Sequence, residues 1–268
     1  MTTHTTRTLL SQSSIASIYK IHTKNETHIL KESSDAKIVE IEAFMLNYLK
    51  KHGLNVPDII SMKDNLLTTQ YIPAQSTLTT QHEEIIALQL SKLHQHTQET
   101  YGFEMNTTIG GYLQSNLTKK SWIDFFIEQR ILSFAILAFE EGAIELDLLR
   151  RIESFTDKIP NYLYEPKQPS LLHGDVWNGN IIPTKESVYF IDPAIYYGHN
   201  EVELAFIKMF NTLGDVFYNT YDELNPIEKG FFEERVDIYN LYSYLVHVRA
   251  FGVSYMNGIE RILKKFGF

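Results

Sequence analysis

The chain of 268 residues contains no cysteine, which excludes disulfide bonds, thiolate metal sites and cysteine nucleophiles. Its 24 Lys and Arg against 33 Asp and Glu leave a net charge of -9, which argues against nucleic-acid binding because that needs a cationic face. The longest purely apolar run, residues 134–139, is far too short for a membrane span. Residues 1–14 lack the apolar region of a signal peptide. We therefore expect a cytoplasmic protein with no nucleic-acid or membrane partner.

Two kinds of pattern divide the chain near residue 73. Before it, strand-like runs at 15–21 and 27–31 predict a hairpin, residues 35–51 have helical spacing, and 66–72 predict another strand. After a linker at 73–76 the pattern is mainly helical, with helices predicted at 83–94, 121–139, 144–159, 201–212 and 227–251. The prediction is an α+β fold with a β-rich N-terminal lobe, 1–72, and a larger α-helical C-terminal lobe, 73–268.

The most informative segment places three polar residues at fixed offsets beside short apolar stretches. Asp175 follows His173 and Gly174, Asn180 comes five residues later, and Asp192 precedes a proline. Kinase-type phosphoryl transfer needs a carboxylate near the acceptor hydroxyl, then an Asn and an Asp that hold the magnesium ions of the nucleotide. The alternative, a simple turn before a strand, does not account for all three. We therefore predict Asp175 as the catalytic carboxylate, Asn180 and Asp192 as metal ligands, and ATP and Mg²⁺ as cofactors.

A kinase also needs a lysine on a strand of the small lobe, paired with a helix glutamate, to hold the nucleotide phosphates. Lys31 ends a strand-like run, and Glu42 lies on the next predicted helix. Glu40 competes for the second role but faces another side of that helix. Solvated Lys and Glu residues are common, so the functional interpretation of this pair depends on the downstream motif.

Glycine is absent before Gly53, although kinases usually cover the phosphates with a glycine-rich loop. The matching segment here is 11–17, and we predict that Ser13 and Ser14 lie beside the phosphates. Gln70, Tyr71 and Ile72 are predicted to form the hinge that contacts the adenine base.

The region after Asp192 has no room for the long activation segment of protein kinases, which favours a small acceptor. Acidic side chains at Glu201 or Glu203 could attract an amine; capping of a helix N-terminus is the alternative for both, and explains Glu203 at least as well. An aromatic wall against a sugar face is predicted from Trp177, Tyr196, Tyr197 and His199.

The motif resembles the fructosamine kinase (ketosamine 3-kinase) family, a branch of the aminoglycoside phosphotransferase and choline kinase group. The resemblance is carried by Leu172-His173-Gly174-Asp175, Trp177, Gly179-Asn180, Ile191-Asp192-Pro193-Ala194, Tyr196-Tyr197-Gly198-His199, Glu201 and Glu203-Leu204-Ala205. It implies a protein-kinase-like fold and ATP-dependent phosphorylation of the 3-hydroxyl of a ketosamine, small or carried on a glycated protein. Two alternatives stay open: a kinase for another hydroxylated amine of aminoglycoside or choline type, and a nucleotide-binding pseudokinase. The sequence does not indicate an oligomeric state.

Overall fold

The computed structural model describes residues 5–268. Its N-terminal part contains one antiparallel sheet built from strands β1 (Thr6–Gln12), β2 (Ala16–His22), β3 (Thr27–Ser33), β4 (Ile59–Lys63) and β5 (Leu66–Gln70). The strand order is β1-β2-β3-β5-β4, so β3 lies at the centre of the sheet. Helix α1 (Ala36–Lys51) connects β3 to β4 and contacts both.

Local sequence signals explain much of this part. The turn between β2 and β3 is closed by a hydrogen bond from Thr23 N to Glu26 O, 2.9 Å long, as the hairpin prediction required. Asp35 caps α1 by accepting a hydrogen bond from Lys37 N at 2.9 Å, which satisfies one of the free N–H groups of the first turn. The apolar face of α1 is buried, with Leu49 wholly inaccessible.

The C-terminal part is mainly helical. Its helices are α2 (Thr80–His94), α3 (Trp122–Phe125), α4 (Ser133–Glu140), α5 (Leu146–Thr156), α6 (Asn200–Met209), α7 (Asp215–Leu224), α8 (Val236–Phe251) and α9 (Met256–Lys265). A π-helical stretch, Phe126–Leu132, joins α3 to α4, and a second, Phe231–Arg235, precedes α8. Short 3₁₀ turns lie at Ile159–Asn161, Asn178–Asn180 and Gly252–Tyr255. No helix within residues 5–268 is long and apolar enough to cross a membrane.

Three short antiparallel pairs shape the loops between these helices. They are β6 (Thr107–Ile109) with β7 (Tyr112–Gln114), β8 (Ser170–Leu172) with β11 (Tyr196–Gly198), and β9 (Ile181–Pro183) with β10 (Val188–Phe190). The β8–β11 pair is almost entirely buried and brackets the segment that contains the predicted catalytic residues. The pair β9–β10 sets the path from Asn180 to Asp192.

Several elements differ from the sequence prediction. Strand β1 is exposed along its whole length and therefore has no alternation between apolar and polar residues. Strand β4 is exposed except at its first residue, so it also lacks a pattern that would identify it in the sequence. The predicted helix at 227–251 begins later, as the π-helical stretch at Phe231, and is preceded by α7, which the sequence analysis did not identify.

Candidate active site

The Lys31 ammonium lies between two carboxylates that come from different parts of the chain. Its Nζ is 2.5 Å from Glu42 Oε2 and 2.8 Å from Asp192 Oδ1. Lys31 is on the central strand β3, Glu42 is on α1, and Asp192 follows β10. Glu40, the competing residue, is exposed on another face of α1. The structure thus brings together the predicted lysine and glutamate, and joins them to the predicted metal-binding aspartate.

Electrostatics assign different states to these three groups. Burial lowers the pKa of Lys31, but the Glu42 and Asp192 carboxylates outweigh burial and raise it well above its usual value. Burial raises the pKa of Glu42 to about 7, with Lys31 opposing the shift. The pKa of Asp192 is lowered, because Lys31 outweighs the effect of burial. Asp192, whose side chain is 36% exposed against 11% for Glu42, is therefore the carboxylate that keeps its negative charge most firmly.

Asp175 and Asn180 lie beside each other in the loop that follows β8. Asn180 Nδ2 donates hydrogen bonds to Asp175 Oδ2 at 2.8 Å and to the Asp175 backbone oxygen at 2.9 Å. This orientation leaves the Asn180 amide oxygen available as a ligand. The Asn180 backbone oxygen accepts a hydrogen bond from Ile191 N, 3.0 Å long, which places the next residue, Asp192, close by.

Two residues of this loop region have a left-handed backbone, which is rare for residues other than glycine. Asp192 has φ +49°, a strained conformation of the kind that clusters at functional sites. Gly174 has φ +87°, and a Cβ added there would lie 2.2 Å from the Ala194 backbone oxygen. The loops are this close because Ala194 N donates to His173 O at 2.8 Å. Glycine is therefore required at position 174.

The oxygen donors of this cluster suit a magnesium ion. Burial, followed by the charge of Asp192, raises the pKa of Asp175 to about 8, and a bound cation would lower it again. Within residues 5–268 no group of three or more His, Cys, Asp or Glu side chains could enclose a metal. Mg²⁺ does not need such a cage, because it typically takes one or two carboxylates and completes its shell with phosphate oxygens and water.

The glycine-free segment near the site folds as a tight turn. Ser13 Oγ accepts hydrogen bonds from Ile15 N at 3.2 Å and Ala16 N at 3.1 Å, while Ser14 is exposed. The Ile15 side chain packs on Gly111 of the β6–β7 hairpin, where an added Cβ would lie 2.2 Å from Ile15 Cδ1. Gly111 therefore allows the β6–β7 hairpin to pack closely against the Ile15 side chain.

The predicted hinge is where β5 ends and the chain enters the helical part. Gln70 is the last residue of β5, and its Oε1 accepts a hydrogen bond from Asp58 N at 3.3 Å. The Tyr71 hydroxyl accepts a hydrogen bond from Lys20 Nζ at 3.1 Å. Ile72 is buried. The Tyr71 hydroxyl and the Ile72 side chain are therefore engaged with the protein, whereas Gln70 is exposed and its backbone N donates to Asp58 O at 2.8 Å.

Comparison with known proteins places this site in a family. The fructosamine kinase family model matches residues 1–266. A probable ketoamine kinase of Vibrio parahaemolyticus is 32% identical, over 97% of this chain and 92% of its own length. The chain belongs to the fructosamine kinase family. The predicted resemblance is therefore confirmed, and the protein is a phosphotransferase with an alcohol group of a ketosamine as acceptor.

Solved structures support the same conclusion for the fold. A crystal structure provisionally assigned as a fructosamine-3-kinase of Thermobifida fusca has a TM-score of 0.88 and 26% identity, over 97% of this chain and 92% of that one. An ADP-bound aminoglycoside phosphotransferase has a TM-score of 0.66 at 14% identity, over 97% and 92% of the two chains, and shows the shared fold alone. The predicted two-lobed, protein-kinase-like fold is confirmed.

The predicted aromatic wall forms only in part, which corrects the sequence analysis. Trp177 is 38% exposed beside the loop of Asp175, but Tyr196 and His199 are 1% and 3% exposed. Tyr196 is on the inner strand β11, and His199 Nδ1 is hydrogen bonded to the Tyr239 hydroxyl at 2.7 Å. Both side chains pack in the core, so they present no surface to a sugar.

The prediction that Glu201 attracts the substrate amine is also wrong. It is 1% exposed, and both of its carboxylate oxygens accept hydrogen bonds from Arg235, each at 2.6 Å. An acid already neutralised by a buried guanidinium does not attract a substrate amine. Glu203, the other acidic residue considered for the amine, is buried too and accepts hydrogen bonds from the backbone of the Asp175 loop.

Proposed function

We propose that this member of the fructosamine kinase family transfers the γ-phosphoryl group of ATP, with Mg²⁺, to the 3-hydroxyl of a ketosamine sugar. The acceptor would be a fructosamine or ribulosamine adduct, free or on a glycated protein, so that the reaction serves deglycation. One observation carries the proposal: a single ammonium, Lys31, contacts both Glu42 and Asp192 next to the hydrogen-bonded pair Asp175 and Asn180.

Nucleotide binding follows from the position of Lys31. Phosphates bound beside its ammonium would lie next to Asp192, while Glu42 keeps the lysine side chain extended towards them. The turn that contains Ser13 and Ser14 would cover the phosphates. The hinge at 70–72 would contact adenine mainly through backbone groups, because the Tyr71 hydroxyl is engaged with Lys20 and Ile72 is buried.

Asn180 and Asp192 would hold the magnesium ion, through an amide oxygen and a firmly ionised carboxylate. When bound, the ion offsets the negative charge of the phosphates and aligns them. The hydrogen bonds from Asn180 Nδ2 to Asp175 fix which end of the amide faces the metal. The left-handed backbone of Asp192 directs its carboxylate towards Lys31.

Asp175 would orient the acceptor hydroxyl and receive its proton. The acceptor oxygen forms a bond to the γ-phosphorus while the bond from that phosphorus to the leaving ADP oxygen breaks. In the loose transition state of such transfers, the proton leaves late and little base strength is needed. Orientation by Asp175 is therefore the larger contribution.

Trp177 is the one member of the predicted wall with an exposed ring close to Asp175. Its indole packs over Gly179, where an added Cβ would lie 2.3 Å from the ring, and the neighbouring ring of Phe210 is 5.7 Å away. A ring held in this way offers a flat apolar face to the sugar. The amine half of the ketosamine would extend from that face.

A substrate panel tests the proposal. ADP release would be measured with Mg-ATP and fructosyl-lysine, ribulosyl-lysine, an aminoglycoside and choline, for the wild type and Asp175→Asn. We expect turnover on a ketosamine that falls at least about 1000-fold in the variant, because the orienting carboxylate is lost. Turnover only on the aminoglycoside or choline would redirect the substrate assignment. Nucleotide binding without transfer to any acceptor would indicate a pseudokinase.

A further inference from the structure

A buried carboxylate outside the kinase motif holds the loop that contains Asp175. Glu203, on α6, is 2% exposed. Its Oε1 accepts a hydrogen bond from Gly174 N at 2.6 Å, and its Oε2 accepts a longer one from His173 N at 3.4 Å. These N–H groups belong to the two residues immediately before Asp175. Successive backbone N–H groups that converge on an anion form a compact binding site, here occupied by a side chain of the protein itself.

A chain of hydrogen bonds holds Glu203 from behind. Its Oε2 is 2.8 Å from His94 Nε2, and His94 Nδ1 is 2.6 Å from the Tyr221 hydroxyl. That hydroxyl oxygen already accepts hydrogen bonds from the side-chain amides of Asn200 at 2.9 Å and Asn225 at 2.8 Å. Its own hydrogen is therefore directed to His94 Nδ1. Since Nδ1 then acts as an acceptor, the proton of a neutral imidazole sits on Nε2 and is donated to Glu203.

We propose that Glu203 is a positioning residue for Asp175, with His94 and Tyr221 fixing its carboxylate. The inference rests on the proposed function, since it takes Asp175 as the residue that orients the acceptor hydroxyl. Hydrogen bonds to an ionised group are about twice as strong as those between neutral groups. Here the Gly174 and His173 N–H groups both point at one carboxylate, so the direction of the backbone entering Asp175 is set by Glu203.

The backbone conformation of Gly174 explains why the loop needs the hydrogen bonds to Glu203. Its φ of +87° is open to glycine, but glycine has many other conformations available in a loop. The Glu203 carboxylate selects this conformation, because it accepts the hydrogen bond of Gly174 N on one side. The contact from Ala194 N to His173 O restrains the other side. Loss of the carboxylate would leave Asp175 attached to a loop with wider freedom.

The same helix supplies a matched control. Glu201 is two residues from Glu203, is equally buried at 1% exposure, and also bonds with both oxygens. Its partners are Arg235 and the Tyr164 hydroxyl, with no hydrogen bond to the Asp175 loop among the described residues. A buried carboxylate that is only structural and one that positions the loop can therefore be compared on a single helix.

The test compares Glu203→Gln with Glu201→Gln in steady-state kinetics with Mg-ATP and a ketosamine, together with urea unfolding. Glutamine keeps the shape but puts an NH₂ group against donors, so both variants should lose stability. We expect kcat to fall about 100-fold in Glu203→Gln, the order of loss that a small misplacement of a catalytic group causes. The KM for ATP should stay within about twofold, because the contacts of Lys31 are unchanged, and Glu201→Gln should keep the wild-type kcat.

A wild-type kcat in Glu203→Gln would overturn the inference, as would an equal loss of kcat in both variants at equal loss of stability. If Glu203→Gln does not fold, Tyr221→Phe replaces it, since this variant keeps the ring and removes the hydroxyl that orients His94. It should lower kcat roughly threefold to tenfold, the effect of one hydrogen bond, and an unchanged kcat would overturn the inference. Full activity of Asp175→Asn would instead refute the proposed function, whatever the Glu203 variants show.

Discussion

Replacing His199 by glutamine should make the folding stability of the protein less sensitive to acid. The imidazole is 3% exposed. Burial, followed by the positive charge of Arg235, lowers the pKa of His199 to about 3. Glu201 Oε2 is 3.9 Å from His199 Nδ1, but it does not stabilise an imidazolium because both of its oxygens are bonded to Arg235. The native state therefore keeps His199 neutral.

The size of the effect follows from the two pKa values. In the unfolded chain the imidazole has its ordinary pKa of about 6.5, so between pH 6.5 and 3 only the unfolded state binds the proton. Because the pKa of His199 is lower in the folded state, the contribution of this residue to the free energy of unfolding is fully present above pH 6.5. It is lost as the pH falls, because the proton binds to the unfolded state. The slope is about 1.4 kcal/mol per pH unit, or about 5 kcal/mol over the whole window. Glutamine carries no titrating group and removes this slope.

The assay is urea unfolding between pH 4.5 and 8 for the wild type, His199→Gln and His96→Gln, an exposed histidine that serves as control. At pH 8 the His199 variant should be less stable by about 1–3 kcal/mol, because it loses ring packing and a hydrogen bond. Between pH 6.5 and 4.5 the wild type should lose about 2 kcal/mol relative to this variant, so that the difference closes or changes sign, while the control follows the wild type. Parallel curves for His199→Gln and the wild type would refute the argument that His199 is buried in its neutral form.

Three further changes test the site. Gly174→Ala adds a Cβ 2.2 Å from the Ala194 backbone oxygen and places alanine in a left-handed conformation, which costs about 1–2 kcal/mol. Because the loop that contains Asp175 is then misplaced, kcat should fall about 100-fold. Wild-type turnover would show that the loop tolerates this shift. Lys31→Met removes charge-assisted contacts, so kcat/KM for ATP should fall at least roughly tenfold, while the exposed control Lys37→Met should not change it. Trp177→Ala should raise the KM for the ketosamine roughly twofold to tenfold, the value of one stacked ring, and leave the KM for ATP unchanged; an unaltered ketosamine KM would remove Trp177 from the acceptor site.

The parts of the fold that were predictable are those specified by neighbouring residues. The β2–β3 hairpin depends on its turn, and α1 depends on the Asp35 cap and an apolar stripe. The approach of Lys31 to Asp192, 161 residues later, was predictable for a different reason. Phosphoryl transfer requires those groups in one place. The chemistry of the motif therefore predicts that Lys31 and Asp192 lie close together, which local sequence patterns do not indicate.

Other features depend on contacts that have no local signature. The side chains of Tyr196, His199 and Glu201 look suited to a sugar and an amine, but β11 and the start of α6 lie inside the C-terminal part. The partner of Glu201 is 34 residues away, and His94 is 109 residues from Glu203. A polar residue beside a motif reads the same in the sequence whether it faces a ligand or a buried partner. Burial decides between the two, and it is set by the whole fold.

The most direct test of the central claim is the position of the phosphate on the product. Fructosyl-lysine and ribulosyl-lysine would be incubated with Mg-ATP and the wild-type protein, and the products examined by phosphorus–proton correlation NMR. The account predicts a phosphate coupled to the proton at carbon 3, formed only with Mg-ATP and absent with Asp175→Asn. A phosphate on another carbon, or an equal yield from Asp175→Asn, would contradict it.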